Sequence, residues 1–193
     1  MSPAFRPRYY RHMRHMRHTP IRSAVIAAVL SLAFAALLFT GSGWSGAPAT
    51  ERASVSSAGA EANGPSFGPA LSDDGRYVVF TSDATNLSPS DTNSRDVFVR
   101  DRQTGNTELV SIASDGAQAN QAALFPAISG DGRYIAFQSD ADNLVAGDTN
   151  GVSDIFLHDR QTGVTERVSL TSAGGQANGD SFTPSVSADG RYV

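Results

Sequence analysis

The chain has 193 residues, no cysteine and a formal net charge of −4, which excludes disulfides, thiolate metal ligands and a cysteine nucleophile. All 19 acidic residues lie at or beyond Glu51, where they face nine arginines, a formal charge of −10 from Thr50 onward. A surface of that sign repels phosphate backbones, so nucleic acid is not expected as a partner.

The first 49 residues carry the pattern of an export signal. A basic stretch from Arg6 to Arg22 precedes an apolar run from Ala24 to Phe39, and small residues then end in Ala47-Pro48-Ala49. This order is typical of a secretory signal peptide. Because the apolar run is long, an uncleaved anchor helix at residues 24–39 is the alternative. We expect an exported chain, secreted, periplasmic or at the cell surface, that meets the membrane only through this segment if it is not cleaved.

Beyond Thr50 the sequence repeats itself with a period of 57 and then 58 residues. Three elements share this period, and internal repetition of this length predicts a repeat architecture. The elements are SDDGRYVVFTSD, SGDGRYIAFQSD and SADGRYV from Ser72, Ser129 and Ser187; RDVFVRDRQTGNTELVS and SDIFLHDRQTGVTERVS from Arg95 and Ser153; and SxGxxAN from Ser57, Ser114 and Ser172.

Each repeat is predicted to form four short strands. In the first repeat they are Pro69–Ser72, Arg76–Ser82, Asp96–Asp101 and Thr107–Ser111, with hairpin turns at the Asp-Gly pair and at RQTG. The runs YVVF and YIAF suit strands that are covered on both faces. The fold class is therefore predicted to be all-β, with blades of four antiparallel strands as in a β-propeller.

The motifs DGRY, DVFVRDRQTG and DIFLHDRQTG resemble the WD-type repeats of TolB-like β-propellers. The resemblance covers the chain from Thr50 to its end, and it implies a propeller fold outside the cytoplasm. Residues 66–112 and 123–170 are expected to form whole blades, residues 182–193 the start of a third, and residues 50–56 an isolated fourth strand. A propeller closes with about four to eight blades, so we expect further blades beyond this sequence or assembly of copies.

The insertion between the second and third strands is rich in Asp and Asn. In the second repeat, oxygen ligands for a calcium ion are predicted at Asp140, Asp142, Asp148, Asn150 and Asp154. The first repeat offers Asp91, Asn93 and Asp96 at closer spacing, with Arg95 between them. The alternative is that these side chains cap turns and bind local backbone amides.

No catalytic residue and no cofactor other than calcium is predicted. The sequence has no GxSxG, HExxH or phosphate-binding glycine loop. His158 aligns with Arg100 of the first repeat, which predicts an exposed strand position. We therefore expect a non-enzymatic module that binds a protein, peptide or glycan. Two alternatives stay open: the N-terminal propeller of a larger exported hydrolase or peptidase, and a calcium-dependent surface adhesin.

Overall fold

A computed structural model describes residues 50–91 and 95–193. The export signal predicted at residues 1–49 lies outside the described residues. No helix in the described ranges is long and apolar enough to cross a membrane. The elements are eight strands: β1 (Ser66–Leu71), β2 (Tyr77–Ser82), β3 (Asp96–Asp101), β4 (Asn106–Leu109), β5 (Ala123–Ile128), β6 (Tyr134–Ser139), β7 (Asp154–Asp159) and β8 (Val164–Arg167).

The strands form two antiparallel sheets of the same design. Their orders are β1-β2-β3-β4 and β5-β6-β7-β8, so each strand pairs with its sequence neighbour. The two registers also correspond, with Tyr77 opposite Asp101 in the first sheet and Tyr134 opposite Asp159 in the second. The all-β prediction and the four-strand repeat are confirmed, and the pair of sheets is consistent with two blades of a partial propeller.

The sheets stack face to face, and their shared core explains the apolar runs in the sequence. Val79 and Val99 of the first sheet belong to the same buried cluster as Ile135 and Phe137 of the second. The other face of β2 packs against a second cluster that includes Leu87 and Ala53. A strand that is covered on both faces has no reason to alternate polar and apolar residues. Accordingly, β2 and β6 are buried along nearly their whole length.

Backbone and ring contacts lock the sheets together at the Asp-Gly turns. Asp73 donates its N–H to the carbonyl of Gly130, and Gly130 donates to Ala188, each at 2.9 Å. The Tyr77 ring lies directly on Gly132, where a Cβ atom would overlap it. Glycine is needed here for two reasons. The turn requires the positive φ of 75°, and the Tyr77 ring leaves no room for a Cβ atom. The DGRY motif therefore holds one sheet against the next.

Three details differ from the sequence prediction. Strands β1 and β5 begin upstream of the expected proline, at Ser66 and Ala123. Residues 50–56 form only a bridge, between Val55 and Glu61, and residues 182–193 form no strand. A strand exists through its pairing, and apart from that single bridge neither segment forms a ladder with another segment of the described residues.

Residues 50–56 nevertheless make the contacts of a preceding sheet. Thr107 donates its hydroxyl to the Val55 carbonyl at 2.6 Å, just as Thr165 donates to Ile112. Arg102 pairs with Glu51, as Arg160 pairs with Glu108 in the next repeat. The segment thus lies against the first sheet where β4 lies against the second, which is the position expected of a fourth strand.

Candidate functional site

The edge strands β1 and β5 share an unusual backbone. The register shifts between Phe67 and Ala70 and again between Leu124 and Ala127, a bulge centred on Pro69 and Pro126. Proline lacks an N–H for the ladder and is tolerated in sheets at edges and bulges. The residue before each recurring proline has positive φ: Gly68 (57°), Phe125 (52°) and Thr183 (47°).

Phe125 and Thr183 are strained there, because unlike Gly68 they carry a side chain. A bulky side chain at positive φ is rare because its Cβ approaches the backbone. Such strain persists where surrounding structure or function holds it, and it is a reason to look for a site. The Phe125 ring gains little from burial, since it is 51% exposed. The bulge therefore directs an aromatic ring toward solvent.

The exposed rings border a cavity, which we call the β1–β5 cavity. Its volume is about 310 Å³, at the lower end of the range for ligand pockets. It lies where the edge strands of the two sheets come together. Its lining residues are Phe67, Gly68, Thr81, Arg95, Leu124 and Phe125.

Arg95 is the one charged residue among the described residues that line the cavity. Its guanidinium makes a paired contact with the Asp83 carboxylate, at 2.8 and 3.0 Å, and lies 5.6 Å from the centroid of the Phe67 ring. The contact holds the pKa of Asp83 below its usual range. Arg95 also has a positive φ of 74°, and its carbonyl accepts the Ala123 N–H at 2.9 Å. The second sheet thus anchors the backbone of a strained cationic residue.

Thr81 supplies a buried polar group. Its side chain is 3% exposed, and its hydroxyl has no hydrogen-bond partner among the described residues. Buried polar groups are nearly always paired, but this oxygen has no accessible surface, so a group in the cavity cannot reach it. The equivalent residue of the second repeat, Gln138, also has an unpaired buried oxygen. The position is therefore polar in both repeats.

Three of the five predicted calcium ligands come together, but around an arginine side chain. Asp148 and Asp154 both bind the buried Arg167, at 2.8 and 3.4 Å, and Asn150 donates to Asp154. A guanidinium thus holds the place between the two carboxylates where a cation would have to lie. Burial raises the pKa of Asp148, although Arg167 opposes that effect.

The other two predicted ligands have separate partners. Asp140 accepts a hydrogen bond from Ser153, and Asp142 accepts one from Asn120 at 2.7 Å. Within the described ranges, no three acidic or histidine side chains are close enough to hold a metal ion. The donor set as arranged does not fit calcium, and the contacts are those of the alternative interpretation, in which these side chains fix loops.

The first repeat lacks the internal cation. Leu109 stands where the second repeat has Arg167. Asp96, which is 1% exposed, instead accepts hydrogen bonds from Ser111 at 2.6 Å and Gln118 at 2.7 Å. Burial outweighs these bonds and raises the pKa of Asp96 to about 6. The charge of this carboxylate is thus tolerated poorly, which matters for stability rather than for chemistry.

The remaining charged motif residues join strands. Arg76 binds Asp101 through two bonds, at 3.0 and 2.7 Å, and Arg133 binds Asp159 in the same way. These bonds hold the pKa values of Asp101 and Asp159 well below the usual range. The exposed position predicted for His158 is wrong, because it is 4% exposed and Nδ1 lies 2.9 Å from the Thr165 hydroxyl.

Sequence reasoning did not identify the lining of the β1–β5 cavity. Its one sequence signal is an apolar residue two positions before each recurring proline, at Phe67, Leu124 and Phe182. No sequence pattern marks Thr81, because a hydroxyl without a partner is a property of its surroundings.

No protein-family model and no curated protein matches the chain. A solved structure described as "putative TolB from Agrobacterium tumefaciens" is similar, with 21% identity and a TM-score of 0.38. The match covers 66% of this chain and 40% of that one, so this chain spans less than half of the other's length. The fold described above rests on the strands and registers of this chain alone.

Proposed function

We propose that this chain is an exported, non-enzymatic repeat protein of the TolB-like β-propeller type, which binds a protein, peptide or glycan through the β1–β5 cavity. The observation that carries the proposal is the convergence at that cavity of two residues at positive φ, Arg95 and Phe125, with the exposed ring of Phe67. A positive φ costs free energy for a residue other than glycine, so the surrounding fold must hold Arg95 and Phe125 in place.

The same contact recurs between successive repeats, which supports the propeller part of the proposal. Tyr77 packs on Gly132, and Tyr134 packs on Gly190 in the same way, so one kind of contact links successive repeats. A design in which every repeat presents the same two faces can be extended by further blades, either in a longer chain or from other copies.

The non-enzymatic part is supported by the partners of the ionisable groups. His158 is buried against Thr165, and burial lowers its pKa. The carboxylates with the strongest shifts, Asp101 and Asp159, bind arginines within their own sheets. Groups held in this way support strands and turns and are poorly placed to exchange protons with a substrate.

The proposal is tested by photo-crosslinking with the full-length chain. Benzoylphenylalanine is placed at Phe67, in the cavity, and separately at Val164, which is similarly exposed at 48% but lies in the far edge strand β8. In an extract of the source cells, we expect the position 67 probe to give a defined adduct that excess unmodified chain suppresses. Equal labelling from both positions, or no suppressible adduct from position 67, would refute the proposal.

A further inference from the structure

We propose that the first sheet binds the Tyr192 ring of a second copy of this chain at Gly75, so that copies associate head to tail. Within the chain, the tyrosine of a DGRY motif packs on the glycine of the next Asp-Gly turn, as Tyr77 does on Gly132. The same contact between two copies would continue the series of repeats. The inference goes beyond the proposed function, because neither Gly75 nor Tyr192 lines the β1–β5 cavity.

Tyr192 is already held in the conformation that the contact needs. Its turn is closed by two bonds of 2.9 Å, from the Gly190 N–H to the Ser187 carbonyl and from the Tyr192 N–H to the Ser187 hydroxyl. Both bonds have the same length in the two earlier motifs. The Arg191 guanidinium lies 5.1 Å from the centre of the ring, against 4.8 and 4.7 Å for the earlier tyrosines. The ring is nevertheless 62% exposed, so its binding would bury apolar surface at little cost in ordering.

Gly75 lies in a turn of the same kind, and the space beside it is open among the described residues. Its φ is 67°, and a Cβ atom placed on it would come within 4 Å of Arg102 alone, at 3.7 Å from Nη1. Arg102 donates to the Gly75 carbonyl at 2.7 Å and pairs with Glu51. The turn therefore has room for a ring on the side where residues 50–56 take the place of a preceding fourth strand.

The groups around Gly75 match those around Gly132, where a tyrosine ring is bound. Arg160 donates to the Gly132 carbonyl at 2.8 Å and pairs with Glu108. Its guanidinium also lies 4.5 Å from the centre of the Tyr77 ring, a distance at which a cation attracts an aromatic ring. By the correspondence of the repeats, Arg102 is placed to make this contact with the Tyr192 ring of another copy.

The backbone offers a second pair of complementary groups. Asp73 donates its N–H to Gly130, and Gly130 donates to Ala188. The next bond of this series would run from the Ala188 N–H of one copy to the Asp73 carbonyl of another. Both residues are exposed, and neither of these two groups has a hydrogen bond among the described residues. The two open ends of the series therefore suit each other.

A second copy is the partner that satisfies both contacts at once. The site at Gly75 requires an exposed tyrosine two residues after the glycine of an Asp-Gly turn, with an unpaired N–H two residues before that glycine. Residues 187–193 of the chain present this arrangement. The two surfaces differ, so the contact is heterologous, and one copy can bind a neighbour through Gly75 and another through Tyr192.

Sedimentation velocity of the full chain tests the inference. One ring and one backbone bond bury less surface than a standard interface, so we expect a dissociation constant on the order of 100 μM. Tyr192→Ala removes the ring. Gly75→Asn fills its place, and asparagine tolerates positive φ better than other residues with side chains. Each variant should weaken association at least about ten-fold. Gly163→Asn is the matched control, because Gly163 has a φ of 73° in open space, and it should associate as the wild type does.

Mixing the two variants tests the direction of the contact. The Gly75→Asn variant keeps Tyr192, and the Tyr192→Ala variant keeps Gly75, so together they retain one intact contact. An equal mixture should form 1:1 dimers with the wild-type dissociation constant and no larger species.

Four results would overturn the inference. They are a wild-type chain that stays monomeric at about 1 mM, association retained by either variant, association lost equally in the Gly163→Asn control, and a mixture that stays monomeric. None of them bears on the binding proposed at the β1–β5 cavity, which lies between the two sheets of one chain.

Discussion

Replacing Thr81 by valine should stabilise the protein, although such a change usually costs stability. The Thr81 hydroxyl is buried with no partner among the described residues, and a buried hydroxyl in that state costs roughly 1–3 kcal/mol. Valine has nearly the same shape and is equally at home in a strand. We expect Thr81→Val to raise the free energy of unfolding by about 1 kcal/mol, which corresponds to a rise of about 4 °C in Tm for a domain of this size.

Thr107 provides a matched control, because it is also buried in a strand but its hydroxyl is used. It donates to the Val55 carbonyl at 2.6 Å and accepts from Arg100 at 3.1 Å. Thr107→Val should therefore lower the free energy of unfolding by about 1–2 kcal/mol. Both variants are compared by urea denaturation of the same chain at one pH. If Thr81→Val lost as much stability as Thr107→Val, the hydroxyl of Thr81 would have a partner in the folded protein and the reasoning would fail.

Three further predictions concern stability. Gly132→Ala should lower the free energy of unfolding by about 2–4 kcal/mol, because a Cβ atom there meets the Tyr77 ring. Gly163 has a similar φ of 73° but lies in open space, so Gly163→Ala should lower it by about 1 kcal/mol. Equal losses in urea denaturation would contradict the packing contact. Because the pKa of Asp96 is raised to about 6, its contribution to the free energy of unfolding is present below about pH 4 and is lost as the pH rises through about 6, by up to about 3 kcal/mol. Asp96→Asn should remove this loss from melting curves recorded across that pH range. An unchanged dependence of Tm on pH in the variant would refute the prediction. Since the Arg167 guanidinium lies between Asp148 and Asp154, calcium and EDTA should not shift the wild-type Tm. Arg167→Leu should lower the free energy of unfolding by about 3 kcal/mol or more. A calcium-dependent rise in the wild-type Tm would restore the predicted metal site.

The repeat was predictable from the sequence because its determinants are local. Asp-Gly turns and apolar runs fix the hairpins wherever they occur, so β3 begins and ends at the predicted Asp96 and Asp101. The periodicity of the motifs then predicts that both sheets have one design. The starts of β1 and β5 were less predictable, because a strand continues through a bulge only if its neighbour still pairs beyond the proline.

The roles of the polar residues depended on contacts that spacing does not encode. The spacing of Asp148, Asn150 and Asp154 suits calcium, but the Arg167 side chain of β8 lies between the two carboxylates. His158 aligns with an arginine and was expected to be exposed, yet it is buried and its ring contacts Thr165 of β8. These contacts depend on packing between segments that are distant in sequence, and a pattern of residue types along one segment does not encode that packing.

The central claim is that the β1–β5 cavity binds a partner. The most direct test is to measure how Phe125→Gly in the full chain changes the Tm and the crosslinking from position 67. Glycine adopts the positive φ of 52° without strain and removes a ring that is half exposed. If the strained ring is kept for binding, the variant should melt at or above the wild-type temperature and lose the adduct captured by the position 67 probe. A lower Tm with the adduct retained would show that Phe125 serves packing, and the β1–β5 cavity would no longer stand as the binding site.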